Sequence, residues 1–590
     1  MEMEDQPQGR ASDLKALAEA KFGKLSEAEK LLLQKVPSGE PAVCSPSHDY
    51  SDNDPNNADG WAPTRQIRAE LVGWLCMDQK ARKHVHWRGI QVYGADINGP
   101  LDLSFVDIPF PLVLQHCRRK EGTDLSRAEV SELDLSGSLV CGITADSLIV
   151  KNNVFLSDGF AAVGEVRLTG AKIGGNLECD AGTFTNPPRK DVAGSGTALQ
   201  ADGINVRGDV FLRGGFAASG EVRLTGAQIG GDLSCTGGTF TNPPQKDLPR
   251  SGSALNADRI NVKGSAFFRG TTANGEVRLT GAQIGSNLEC YGGVFTNPPQ
   301  DGVDGSGKAL KADRINVGGS VLLNGKFTAS GEMRFIGAQI SVAFDCENGN
   351  FQAATLDLSD ALANTIYDPE VKWPVHDKLV LDGFAYGRIS TEEQVDVTKR
   401  LDWLGLQSTS LFRQQPYLQL AKVLRESGDS GGALRVLEKM EELRRSSEKH
   451  GPGARIWSWI LKGSIGYGYY PGRAIRLIIL LSVVGWIVYG ASYDAGTIVP
   501  TDKDAYKEFV DPKTERQVPP HYPGFSAPVY SLENSLPLVK LRQADKWQPD
   551  PHRKGFLPTS VPWFLRIQIL LGWLLATLFV AGVSGIVHKE

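Results

Sequence analysis

The chain has 590 residues, with 63 Lys or Arg against 68 Asp or Glu and a formal net charge of −5. An imbalance this small excludes a global field that would draw nucleic acid or an anionic membrane surface, so any charge argument has to be local. The 66 glycines and 8% aromatic content suit tightly turning β structure rather than a helical enzyme core.

The opening stretch, MEMEDQPQGRASDLK, is polar and lacks an apolar h-region, so the N-terminal part is expected in the reducing cytosol. Residues 1–60 read as one helix, LSEAEKLLLQ, followed by a polar linker, SPSHDYSDNDPNNADG, too poor in apolar side chains to fold alone. Over residues 61–86, Ile67, Leu71, Trp74 and Leu75 recur at helical spacing behind Thr64, a candidate N-cap. A solenoid needs its first coil shielded, and this helix is the expected cap.

Over residues 87–392 the helical period gives way to short apolar pairs, such as Ile97 with Leu101 and Leu133 with Leu135, mostly four to six residues apart. Such steps predict strands of two or three residues with Gly, Asp or Asn at the corners, the pattern of a β-helix coil. The pattern then repeats outright. GEVRLTGAKIGGNLEC ends at Cys179, GEVRLTGAQIGGDLSC at Cys235, GEVRLTGAQIGSNLEC at Cys290 and GEMRFIGAQISVAFDC at Cys346, a register of 56, 55 and 56 residues. Residues 185–197, 241–253 and 296–308 form 13-residue inserts whose Pro and Gly place them outside the coils. The remaining 42 or 43 residues per repeat make about two turns of a four-faced helix with roughly five residues per face. Four of the eight cysteines fall at the same repeat position, so packing accounts for them, and no pair has zinc-knuckle or dithiol spacing. Glu165, Glu221, Glu276 and Glu332 recur two residues before Arg167, Arg223, Arg278 and Arg334, at positions expected to face outward. Copies two coils apart stand about 10 Å from one another. They read either as a ligand-binding ladder or as a solvated face of weak ion pairs, the commoner use of such charges.

The segments ADGINVRGDVFL, ADRINVKGSAFF and ADRINVGGSVLL resemble the pentapeptide-repeat proteins. The resemblance implies a mainly β chain built on a right-handed quadrilateral β-helix, and the hand comes from the resemblance alone.

Residues 393–450 turn helical. From Pro416, Tyr417, Leu420, Ala421 and Leu424 form one stripe and Ala433, Leu434 and Leu437 the next, with Gly428 between, like a single tetratricopeptide-type helix pair. Residues 451–476 form a basic juxtamembrane segment, and residues 477–493 and 567–587 are apolar enough to be two transmembrane helices. Aromatics such as Trp486, Trp563 and Trp573 suit interfaces. Without a secretory signal, both termini are expected in the cytoplasm and residues 494–562 outside. That loop holds Tyr530, Leu532, Leu536 and Leu538, and helix, semi-apolar loop, helix is the layout of a two-helix channel subunit with a re-entrant segment. A TVGYG-like filter is missing there, and GYGYYPG precedes the first helix. Gly466, Gly468, Pro471 and Arg473 are candidate hinge positions, and Leu536 and Leu538 candidate gate positions.

Enzyme motifs do not emerge. No HExxH, GxxxxGK[ST] or GxSxG occurs, His84 and His86 lack a third ligand nearby, and GSGTAL lacks the third glycine of a dinucleotide fold. No catalytic, metal-binding or cofactor-binding residue is assigned. The order WAPTRQIRAELVGWL, β-helix, QPYLQLAKVLRESG, YGYYPGRA, YSLENSLPLVKL and GWLLATLFVAGVSGIV resembles bacterial, largely actinobacterial, membrane-anchored pentapeptide-repeat-like proteins often labelled membrane-associated oxidoreductases. The resemblance implies attachment to the bacterial inner membrane. The function expected first is a non-enzymatic scaffold or sensor that binds a protein partner at the cytoplasmic face. A pore gated by the rod and an oxidoreductase are the alternatives. The lipid bilayer is the other expected partner, the transmembrane helices are the route to a homo-oligomer, and no nucleic acid is expected.

Overall fold

A computed structural model describes residues 7–45, 50–390, 395–408, 412–448, 451–511, 516–536, 538–550 and 556–584, and the chain divides into two compact units, residues 1–409 and 410–590. Residues 46–49 of the polar stretch, 391–392 at the expected solenoid end, 449–450 of the helix-pair segment and 585–587 of the second apolar stretch lie outside the described residues.

The first unit is a parallel β-solenoid of about 13 turns. Most strands are two to four residues long, and through the body of the solenoid each pairs in parallel with the strand four places on: Glu129–Val130 with Ile149–Val150, and that in turn with Lys172–Ile173. A turn therefore carries four short strands. The corners use left-handed backbone, as at Gly203, Arg259 and Arg314 (φ 63°, 57° and 54°), each directly after an Asp.

The two-turn repeat has a packing cause. Cys179, Leu212, Cys235, Phe268, Cys290, Leu323 and Cys346 occupy one inward column, a turn apart, and all are buried. A small side chain alternates with a large one, so neighbouring turns interdigitate without voids, and the cysteines are free thiols in the core. A second column stacks Phe160, Phe184, Phe216 and Phe240 with ring centroids 5.4, 5.3 and 5.3 Å apart. Each fully buried ring contributes about 1.5–3 kcal/mol of hydrophobic stabilisation.

Both ends are covered. Helices α1 (Pro7–Phe22), α2 (Glu27–Lys35), α3 (Ala69–Met77) and α4 (Gln79–Arg82) lie at the start. Ser26 and Glu29 close a capping box on α2, and Glu29, itself buried, also takes two hydrogen bonds from the Arg68 guanidinium at 2.7 and 2.8 Å. At the far end, α5 (Val397–Leu404) sets Arg400 on Asp368 through two 2.6 Å bonds and packs Trp403 on Trp373.

The N-terminal boundaries differ from those expected. The solenoid starts at Ala42–Val43, which pairs with Val92–Tyr93, and not near residue 87. Ile67 lies in a strand, Gln66–Arg68, pairing with Asp96–Asn98, and Thr64 lies in a short 3-10 turn rather than at a helix N-cap. The polar stretch is not a linker from residue 50 on. Asp54 caps a 3-10 turn over Pro55–Gly60, and buried Arg65 ties Asn53 to the Gly94 carbonyl. A polar sequence is held here against a neighbouring coil by hydrogen bonds from the Arg65 guanidinium, which composition does not register.

The second unit contains α6 (Gln415–Glu426), α7 (Ser430–Ser447), α8 (Pro452–Ile465), α9 (Gly472–Asp494), α10 (Lys503–Val510), α11 (Ala527–Ser535) and α12 (Phe556–Val583). Two stretches, Gly472–Asp494 and Ser560–Val583, are long and apolar enough to cross a membrane. Between them the loop folds around Trp547, which is fully buried among Tyr493, Phe509, Tyr522 and Phe525, and a two-stranded antiparallel pair closes Ile498–Pro500 on Trp547–Pro549.

Candidate functional site

The repeated charges of the solenoid resolve into two different rows. Through successive strands the register runs Arg167, Gln200, Arg223, Asn256, Arg278, Lys311, Arg334, so the arginines sit two strand spacings apart, about 10 Å. Each arginine pairs with a corner aspartate: Arg167 with Asp146, Arg223 with Asp202, Arg278 with Asp258 and Arg334 with Asp313. The glutamates depart from expectation. Glu221 and Glu276 are only 7% and 9% exposed, and each donates its N–H to the carbonyl of Gly196 or Gly252 where the insert rejoins the coil through a register shift. Burial pushes the Glu165, Glu221 and Glu276 carboxyls above the ordinary range, against the pull of the neighbouring arginines. Glu332 stands in the same row, opposite Lys308. An outward ladder of free charges is therefore not what these residues form.

The inserts are built alike. Asn186, Asn242 and Asn297 each donate from Nδ2 to two carbonyls of their own loop, at 2.7–2.9 Å. Neighbouring loops also meet, with Gly252 against Gly305.

The hinge residues lie together at a sharp break between α8 and α9. Gly466, Tyr467 and Gly468 are all left-handed (φ 53°, 56° and 95°), a conformation strained for a tyrosine. The helix pair grips this break: Arg473 donates to Glu438 of α7 at 2.6 Å, and Lys462 to Glu442 at 2.7 Å. Pro471 and Gly468 also lie against Gly582, near the end of α12. One junction thus touches α7, α9 and α12.

The third region was only half legible in the sequence. Helix α11 inserts between α9 and α12. Ala527 lies beside Gly490, Ser531 beside Gly485, and Ser535 beside Gly572. Because α9 ends at Asp494, α11 starts near that end and runs back toward the middle of both long helices. The glycines make room for it: a Cβ on Gly485 would stand 2.2 Å from the Ser531 hydroxyl, and one on Gly572 only 2.3 Å from the Ser535 carbonyl. Polar side chains then fix the position. Gln568 of α12, fully buried, directs Nε2 at Ser531 O (3.1 Å), Ser531 Oγ (2.9 Å) and Ser535 Oγ (2.7 Å). Its Oε1 accepts from Tyr489 of α9 at 2.5 Å, and Ser531 Oγ donates to the Ser482 carbonyl at 2.7 Å.

After α11 the chain returns alongside it. The Glu533 carboxylate accepts four backbone N–H groups, from Leu541 (3.0 Å), Arg542 (3.2 Å), Gln543 (2.8 Å) and Ala544 (2.9 Å). Arg542 is held there in left-handed backbone (φ 62°). The carbonyls of residues 538–542 accept no hydrogen bond among the described residues, and all five residues are exposed. Leu536 and Leu538 line a groove of about 510 Å³ with Ile475, Ile479, Phe579 and Val580. Leu536 and Leu538, the two expected gate positions, thus line one groove. Sequence reasoning missed Gln568, Glu533 and the two glycines, whose only signals were a lone amide in an apolar run and small residues in apolar helices.

The fold defines a class: a parallel β-solenoid joined to a helical unit with two candidate membrane spans. No family model, no curated protein and no solved structure matches the chain.

Proposed function

We propose that the protein is a membrane-embedded pore subunit whose long N-terminal β-helix serves as its cytosolic sensor. In this reading α9 and α12 cross the bacterial inner membrane with both termini in the cytoplasm, and several copies assemble through them. The single observation that carries it is the placement of α11. A short helix that enters beside the end of one span, stops halfway along, and returns as irregular chain is a re-entrant segment when the spans are in lipid. Irregular backbone at that depth is tolerated only inside protein or against water, since each open polar group in hydrocarbon costs several kcal/mol. The open carbonyls of residues 538–542 thus favour an assembly in which other copies or a water path meet them. The junction at Gly466, Gly468, Pro471 and Arg473 would pass movement of the α6–α7 pair to the inner ends of both spans. The test is conductance of purified full-length protein in planar bilayers. Conductance is expected, and it should be lost when Leu538 is replaced by Asp or Gly572 by Val. A silent wild-type protein in a properly inserted, folded state would sink the reading.

The scaffold reading is favoured by a different observation, the three insert loops of one construction on one side of the rod. Regular spacing of similarly built loops suits a partner with matching repeats. Removing the inserts and comparing co-purified proteins in mild detergent tests it, since an unchanged partner set would count against it. Four short strands per turn support the quadrilateral, pentapeptide-repeat-like form, and the helix pair supports the tetratricopeptide comparison. The oxidoreductase alternative predicts a flavin or haem band in the visible spectrum of the purified protein.

A further inference from the structure

We infer that the pore conducts anions, with Lys540 and Arg542 as the residues that select them; the inference rests on the pore reading above. Both side chains belong to the returning stretch after α11, both are exposed, and neither has an ion-pair partner among the described residues. Their level is bounded on both sides. Leu538 reaches the groove against Ile479 and Val580, whereas Gln543 is already back beside Gly524 and Ser526, near the start of α11. Lys540 and Arg542 therefore lie alongside α11 itself, within the half of the spans nearest Asp494. A full cation at such a level is costly in lipid and is kept where it meets water, a counter-ion or a passing ion.

The nearby carboxylates do not supply the counter-ion. Both oxygens of Glu533 accept backbone N–H groups of residues 541–544, so this carboxylate keeps its charge but holds the loop in shape and forms no ion pair with Lys540 or Arg542. Asp545 is the one other acid in the stretch, set against Lys540, Arg542 and Lys546, and Lys546 leans over the Tyr522 ring instead. The C-terminal end of α11 works the other way, since a helix C-terminus carries about half a negative charge. Lys540, Arg542 and Lys546 exceed Glu533 and Asp545 by one full charge per copy, which outweighs that half charge, and a ring of Lys and Arg is the arrangement that anion pores use. The left-handed backbone at Arg542 is pinned by Glu533, so the loop that carries the cation has a defined shape.

The experiment is the reversal potential of full-length protein in planar bilayers under a potassium chloride gradient. Wild type should pass chloride over potassium by roughly tenfold or more, the neutral Lys540→Gln/Arg542→Gln variant should lose most of that preference, and Lys540→Glu/Arg542→Glu should invert it. If the acidic variant fails to insert, the neutral variant decides by itself, because it removes charge without adding any. Conductance that prefers potassium in wild type, or a preference unmoved by the neutral variant, overturns this inference while leaving the pore reading standing. Absence of any wild-type conductance overturns the pore reading first.

Discussion

The two units treat charge in opposite ways. In the solenoid every repeated arginine has its aspartate, and the strands pair turn upon turn. In the helical unit the best acceptor near Lys540 and Arg542 is spent on backbone, and a run of carbonyls stays open. Repetition in the first unit is a packing solution, with small and large core residues alternating and exposed ion pairs of little individual worth. The irregular stretch of the second breaks local rules without compensation among the described residues, and such breaks concentrate where function lies.

The comparison can be broken at either side. The largest effect should come from Phe216→Ala, which opens the middle of the phenylalanine column and should cost the solenoid about 3–5 kcal/mol, read by denaturant unfolding, without changing ion preference at low temperature. Next, Gly572→Val drives a side chain into the Ser535 carbonyl. About 1–3 kcal/mol of overpacking should displace α11 and abolish conductance, with the solenoid melting as before. Glu533→Gln keeps the shape but weakens four charge-assisted bonds, by about 1–3 kcal/mol locally. Hydrogen exchange should quicken at Leu541–Ala544 amides and nowhere in the solenoid. Arg278→Met, by contrast, should shift stability by no more than about 1 kcal/mol, since its pair with Asp258 is partly exposed; a larger loss would mean that the arginine row is more than a solvated face.

The smallest effect is a pH slope. Burial raises the Glu221 and Glu276 carboxyls in the folded chain above their unfolded values. The folded state then binds more protons than the unfolded one, so this contribution is fully present below the ordinary glutamate pKa and is lost as pH rises through the raised one. The solenoid's melting midpoint should therefore fall on going from about pH 4 to about pH 8 through these groups, and Glu221→Gln with Glu276→Gln should flatten that part of the fall. A wild-type profile that these substitutions leave unchanged would show that the carboxyls are solvated.

By itself the sequence determined the solenoid, its two-turn period, the packing role of Cys179, Cys235, Cys290 and Cys346, and the two long apolar helices. Each of these rests on periodicity or run length, which survive in one dimension because every coil meets only its neighbours. It did not determine that Glu221 and Glu276 are buried beside their arginines, because burial depends on chain that packs over them from elsewhere in the fold, nor that the solenoid begins at Ala42, because a two-residue strand has no period. Only the tertiary structure decided how α11 is held. Gly485, Gln568 and Gly572 lie far from Ser531 and Ser535 along the chain, and a glycine that admits a helix looks no different in sequence from one that merely turns a corner.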